Sequence, residues 1–359
     1  MSEQLSRFDA WIDEGGPSAL VSKEYLEPVA GQGAVIFPPT FAPPEDKRKE
    51  PAGYIIDRDG DRSVCLIDSV GSQANRLEPL FKQKEFEQLV PQVRIKVKDR
   101  VVNLLDVGHR AADSLVRSTK LAADLEKAFL RCAAGDPLSL AKIAPTTLVF
   151  GAWDSRGSLT KIPRLIDSTI RAFQVDKLNR AAQYHASLTN DEVAEMLQTD
   201  VQKDHKPLSK AGFLDAPSGR THGGVIARGD IVRTTVLNLT ALRSLGEPAD
   251  DGQRVLRRYI LGLCLIVACA PIDLYLRQGC LLVRAAEPPE NTAAKPFESN
   301  LVYRDGRRKE FQVVFDEVLA FARGAAHAFV VGPSCEVEFD SKAAKELVKK
   351  AAKEKEDAR

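Results

Sequence analysis

Ser72, Gln73, Asn75 and Arg76 stand in the first turns of a helix that follows a strand. A helix N-terminus offers free N–H groups to anions, and hydroxyl, amide and guanidinium side chains add donors, a combination suited to phosphate. The same residues admit a plain structural account, in which Ser69 or Asp68 caps the helix and Arg76 pairs with a nearby acid. A second group of cations, Lys161, Arg164, Arg171, Lys177 and Arg180, clusters near one strand. A third, Lys206, Lys210, Arg220, His222, Arg228 and Arg233, populates a long polar segment. Charge runs are usually solvated faces, so charge alone does not select RNA. Aromatic residues make up 6% and form no RNP-like strand, so any RNA binding is expected to depend on backbone charge more than on base stacking.

Motifs for other chemistry are missing from the sequence. It contains no GxxxxGK[ST] loop, no GxGxxG after a strand, no HExxH and no GxSxG. The five histidines, His109, His185, His205, His222 and His327, are widely spaced and make no recognisable metal set. No metal, no cofactor and no catalytic residue is expected. The six cysteines are scattered without a CxxC pair, which points to reduced thiols. A net charge of +1 gives no global basic field, so only a local basic groove would hold nucleic acid. The opening MSEQLSRFDAWIDEGG does not read as a secretory signal. The longest apolar run, Tyr259 to Ile272, is shorter than the roughly 18–20 residues that span a bilayer, and it reads as a buried helix. A soluble, cytoplasmic protein without membrane contact is expected.

The elements that would position these groups are partly legible. Residues before 50 look irregular, with Pro38-Pro39, Pro43-Pro44 and the charged stretch Glu45–Glu50 marking a loop. Asp59-Gly60 between Tyr54–Ile56 and Val64–Ile67 predicts a hairpin, and the acids around it lack the spacing of a calcium loop. Val70, Ala74, Leu77 and Phe81 make one stripe of a helix over residues 69–89, with Ser72, Asn75 and Arg76 on the opposite side. Val93, Ile95 and Val97 alternate with cations as a half-exposed strand. Thr146–Trp153 predicts a strand, the turn Asp154-Ser155-Arg156-Gly157 follows, and Lys161–Phe173 alternates as its partner. A helix at 191–198 precedes a long aperiodic segment, about 202–229, read as a functional or mobile loop. Ile231–Leu239 reads as a strand, Gln253–Ala270 as a buried helix, 287–300 as a Pro-rich loop and Phe311–Ala326 as an amphipathic helix. Residues 341–359 form a charged tail, either a solvated helix or a frayed end. The order of elements predicts a mixed α+β fold, and 359 residues would hold one large domain or two ordinary ones.

Three blocks carry a resemblance. CLIDSVGSQANRLE from Cys65, then LVFGAWDSRG with KIPRLIDSTIRAFQV, then LSKAGFLDAPSGRTHGGVIARGDIVRTTVLNLTALRSL resemble, in family order, the type I-U (also called I-G) CRISPR-associated RAMP family of Cascade backbone subunits. The resemblance extends from about Cys65 to Leu245. It implies a single domain over residues 1–340, an RRM-like, ferredoxin-type core with large insertions that give a hand-like shape. It also implies copies stacked along a CRISPR guide RNA, each gripping the sugar–phosphate backbone and leaving bases free to pair with target DNA. Its implied partners are further copies of itself, the large subunit, the guide-processing or cap subunit, and a helicase–nuclease that does the cutting. On this reading Ser72, Gln73, Asn75 and Arg76 contact RNA, joined by Arg164, Arg171, Lys210, His222 and Arg233. The competing readings are a soluble metabolic enzyme with an unrecognised active site, using 202–229 as a lid, and an assembly protein that never touches nucleic acid. The sequence alone predicts that Arg76→Glu abolishes RNA retention and leaves the fold intact, checked by nucleic-acid content after purification.

Overall fold

The computed structural model describes residues 5–43, 52–246, 251–286 and 295–357. The charged stretch Glu45–Glu50 and most of the 287–300 loop lie outside them. Irregular structure is expected before residue 50, yet Ala19–Pro28 is a ten-residue strand, β1, in the middle of the main sheet. Its covered face reads Leu20, Ser22, Glu24, Leu26 and Pro28, so two inward polar residues break the apolar alternation that betrays a strand.

The expected hairpin forms from β2 (Ile56–Asp59) and β3 (Arg62–Asp68), and Gly60 turns at φ 57, a conformation glycine adopts without penalty. Helix α1 (Val70–Leu77) follows, with the Ser69 hydroxyl accepting from the Ser72 N–H at 3.2 Å. It ends sooner than the stripe predicts because Pro79 lacks the N–H that would extend it, and the chain tightens into a 3₁₀ turn over Glu78–Lys82. Strands β4 (Val93–Val97) and β5 (Arg100–Asn103) and helix α2 (Ala122–Ala133) come next. Thr146–Phe150 is helix α3 rather than the predicted strand. All five of its residues are buried, and a short run buried on every side carries no period to separate helix from strand. The strand-like part is confined to β6 (Ala152–Trp153), which pairs with β7 (Lys161–Ile162).

Strand β8 (Ile166–Phe173) runs into β9 (Val175–Tyr184). Helices α4 (Asn190–Leu197) and α5 (His205–Ala211) come before β10 (Ala216–Ala227), which pairs back on β9. The segment expected as a loop is therefore mostly ordered. Bulges between Ser218 and Thr221 and between His222 and Val225 interrupt the period-two pattern of β10, which hides it from the sequence. Val193, Leu208 and Leu214 give the tip of this ribbon a small core of its own. The chain continues through β11 (Ile231–Asn238), α6 (Asp251–Cys269), the hairpin β12 (Leu274–Arg277) and β13 (Cys280–Arg284), β14 (Phe297–Val302), α7 (Phe315–Phe329), β15 (Cys335–Glu338) and α8 (Ser341–Asp357).

The main sheet has nine strands, and its central path is β12-β13-β1-β11-β8-β3-β2, antiparallel at every pairing. The free side of β1 is shared by β13 and β14, and the short strand Arg308–Glu310 pairs on β14 as the ninth. This is a mixed α+β fold. One face of the sheet is covered. Its lower part packs on α6 and α7, where Gly262 lets the helices come close: a Cβ there would lie 3.0 Å from the Ala322 Cα. Tyr259 of α6 stacks on Phe329 at 4.4 Å and donates to the Leu89 carbonyl. No helix among the described residues is long and apolar enough to cross a membrane. A second, smaller core of Leu26, Ile36, Cys65, Ile67, Ile170, Val225 and Leu282 lies under the base of the ribbon.

Between the two cores the covered face is polar. Ser299, Ser22, Thr235 and Ser168 fall in register across four strands, with hydroxyl contacts of 3.0 Å between Ser22 and Ser299 and between Ser168 and Thr235. Beside this row Glu24 faces Arg233, their Oε2 and Nε 3.0 Å apart, and Arg284 binds the other Glu24 oxygen at 2.7 Å. Glu24 and Arg233 are both buried. Removing one partner of such a pair leaves an uncompensated charge in the core, so Glu24→Ala is expected to lower unfolding stability by about 3–5 kcal/mol. Pairing it with Arg233→Met should recover much of the loss, as read from urea midpoints.

Candidate nucleic-acid interface

The row of hydroxyls ends on α1. Ser168 Oγ donates to Gln73 Oε1 at 3.0 Å, and Gln73 Nε2 donates to Asp68 Oδ2 at 2.6 Å. Arg76 Nε donates to the same Asp68 oxygen at 3.0 Å, and its Nη2 reaches the Leu276 carbonyl of β12 at 2.8 Å. Burial raises the Asp68 carboxyl above its ordinary value, while Gln73 and Arg76 pull it down. Gln73 is wholly buried, and its amide is committed on both sides. It positions the helix and presents no surface to a ligand. Arg76 remains partly exposed but ties α1 to the sheet, so its reversal to Glu falls on the fold as well as on any ligand.

With Gln73 and Arg76 turned to the sheet, Gly71 and Asn75, four residues apart, lie on the outward face of α1. They line a cleft of about 860 Å³ with Gly108, His109, Arg110, Gly151, Trp153, Lys161 and Arg164. Asn75, His109, Lys161 and Arg164 are exposed, so the cleft carries two cations from the segment after β6 and an amide from α1.

Two loops close the cleft, and Arg110 joins them. Its backbone is left-handed at φ 54, a costly conformation for a non-glycine residue. Its guanidinium is buried, with Nε 2.8 Å from Glu78 Oε2, Nη1 donating to the Gly151 carbonyl at 3.3 Å, and the ring of Phe150 at 5.2 Å. Burial pulls the Arg110 guanidinium below its usual value, Glu78 opposes this, and neighbouring Arg164 adds to it. Gly151 takes φ 74 where a Cβ would meet the Ile162 carbonyl and Arg164 Cγ at 2.8 Å, so the backbone passes that point only without a side chain. The turn after β6 is held by Asp154, which accepts from Arg117 at 2.7 Å and from the Ser158 N–H at 2.7 Å.

Of the nine residues expected at an RNA site, only Asn75 and Arg164 line this cleft. Ser72 completes the helix cap. Arg171 lies on the open face of the sheet, in a notch with Lys23, Tyr25 and Phe173. Lys210 is exposed on α5 at the ribbon's tip. His222, on β10, is bonded to the Ala52 carbonyl at 2.6 Å, its ring 5.0 Å from that of Tyr54. Arg233 is enclosed with Glu24, because the alternation of β11 turns it to the covered face. Sequence reasoning missed Trp153, His109 and Arg110. The one signal for them was a solitary exposed-type tryptophan beside the Asp-Ser-Arg-Gly turn. Among the described residues no group of three His, Cys, Asp or Glu is placed to hold a metal ion.

Residues 20–177 match the family model described as CRISPR-associated protein GSU0053. The match supports a CRISPR-associated protein. It runs from β1 into β9 and contains every residue that lines the cleft. No curated protein matches the chain.

Beneath the cleft, burial pushes the Glu78 carboxyl from its usual 4.5 up to about 7, against the opposing pull of Arg110. The folded chain thus holds this proton more tightly than the open chain does. The resulting stability is complete below about pH 4.5 and is lost as pH rises through about 7. Urea unfolding across that window should show the decline, and Glu78→Gln, which has no proton to lose, should flatten it.

Proposed function

We propose that this chain acts in CRISPR defence as a repeating backbone subunit of a type I surveillance complex, binding the sugar–phosphate backbone of the guide RNA and leaving bases to pair with target DNA. The observation that carries the reading is the coincidence of the cationic cleft with the segment matched by the CRISPR-associated family model. The strand order supports an RRM-like core. Taking β1, β8, β11 and β13 or β14 as four successive strands, the sheet reads fourth, first, third, second, with α6 crossing between the third and fourth. That is the order of the ferredoxin-type βαββαβ unit. The β9–β10 ribbon then stands as an insertion between the second and third strands, and the β2–β3 hairpin extends the edge.

In this reading Lys161 and Arg164 neutralise successive phosphates, and Asn75 hydrogen-bonds ribose or phosphate oxygens from α1. A chain with a net charge of +1 suits a subunit that grips RNA locally and packs against further copies of itself and the other subunits of the complex. Specificity resides in the guide, and the protein reads backbone and shape.

Co-expression with a CRISPR array is expected to yield a large species holding RNA of defined length, formed only when the array is present, as read by size exclusion and absorbance ratio. A monomer free of nucleic acid in both samples would refute the reading. The double variant Lys161→Glu/Arg164→Glu should lose the RNA and keep its unfolding midpoint. In titrations with single-stranded RNA it should lower the slope of log affinity against log salt by about 1.4, since each single-strand phosphate contact contributes about 0.7.

A further inference from the structure

We infer that the cleft also holds an unpaired nucleobase of the bound single strand, stacked on the indole of Trp153. This rests on the guide-RNA reading above and assigns the part of the site that touches a base rather than a phosphate.

The chain has two tryptophans, placed in opposite environments. Trp11 is 6% exposed and packs edge-on against Phe8 and Phe311, whereas Trp153 is 58% exposed and lines the cleft. A large apolar ring in water at the mouth of a concave site is a surface with an unfilled partner. Backbone pairing sets a cation against it. Trp153 sits directly opposite Lys161 in the β6–β7 ladder, and the Lys161 ammonium lies 4.7 Å from the ring centroid. A cross-strand cation of this kind attracts the ring and leaves the rest of its surface open. The turn that carries both is pinned by the Arg117–Asp154 ion pair, and a Cβ on Gly157 would collide with that arginine at 2.3 Å.

The remaining groups fit a nucleotide. A volume of about 860 Å³ lies within the size of small-molecule sites, roughly 300–1,000 Å³. Stacking on an aromatic side chain accepts any base, because every base has a π face. That suits a protein that must hold guides of different sequence. The Asn75 amide, which lines the same cleft, supplies both donors and an acceptor, and Arg164 and Lys161 take the flanking phosphates. A strand drawn over this wall must unstack one base to reach the indole, which a paired duplex resists.

The test uses the full chain and three probes of equal length: a mixed-sequence single-stranded RNA, an abasic strand with the same phosphates, and an RNA duplex. Trp153→Ala is expected to weaken single-stranded RNA binding roughly 5- to 150-fold, the effect of losing one base stack. Trp153→Phe should retain most of the affinity, and the salt slope should stay unchanged because no phosphate contact is lost. The abasic strand should bind wild type and Trp153→Ala alike, and only the base-bearing single strand should quench the exposed tryptophan's emission. Equal binding of single-stranded RNA by wild type and Trp153→Ala, with Lys161→Glu/Arg164→Glu still weakening it, would overturn the stacking and leave a phosphate-only cleft. Failure of all three probes to bind wild type would overturn the guide-RNA reading itself.

Discussion

Much of this fold depends on a line of polar groups buried where an apolar core would be expected. Glu24 and Arg233 face one another across β1 and β11, and the hydroxyls of Ser299, Ser22, Thr235 and Ser168 continue the line across the sheet. Desolvating such groups is expensive, and the expense is offset only when each finds its partner in one register. A slip of one residue would turn all of them to the other face and leave their partners unmatched. The belt therefore fixes the pairing of four strands more strictly than aliphatic side chains alone would. It also divides the covered face into a large core on α6 and α7 and a smaller one beneath the ribbon.

The belt also sets the site. Its last members, Gln73 and Asp68, with Arg76, draw α1 down on the sheet and so choose which face of that helix looks outward. Asn75 is presented because Gln73 and Arg76 are not. On the far side of the cleft the same logic operates through Arg110, held in a left-handed conformation between Glu78, Phe150 and the Gly151 carbonyl. Backbone strain at a residue that joins two loops is sustained by the contacts around it. It gives the cleft a rigid floor, on which the exposed cations and the indole are arranged.

Helices and strands with one clean period were legible in the sequence: the β2–β3 hairpin, α1, β4, β8, β11 and α6 all appear near their expected places. Elements that broke a simple period were not. The strand β1 carries polar residues inward, α3 is buried on every side, and β10 is bulged, glycine-rich and polar. At the site, the phosphate-binding pattern on α1 marks a helix that lines the cleft, with Asn75 on its outward face, while Gln73 and Arg233, expected as donors to a ligand, are buried. Polar and charged side chains are seldom buried without partners, and the partners here, Asp68, Ser168 and Glu24, lie on other strands or at the foot of the helix.

By itself, then, the sequence determined the α+β class, many of the helices and strands, a cap for α1 at Asp68 or Ser69, and the family resemblance. These follow from neighbours along the chain, where period, turn residues and motif order are written directly. Only the tertiary structure decided which cations face solvent and which are spent inside, and that Asn75, His109, Trp153, Lys161 and Arg164 share one cleft. Those assignments depend on strand register and on the meeting of loops distant in sequence. They are set by the pairing of buried charges and hydroxyls across the sheet, which no local pattern encodes.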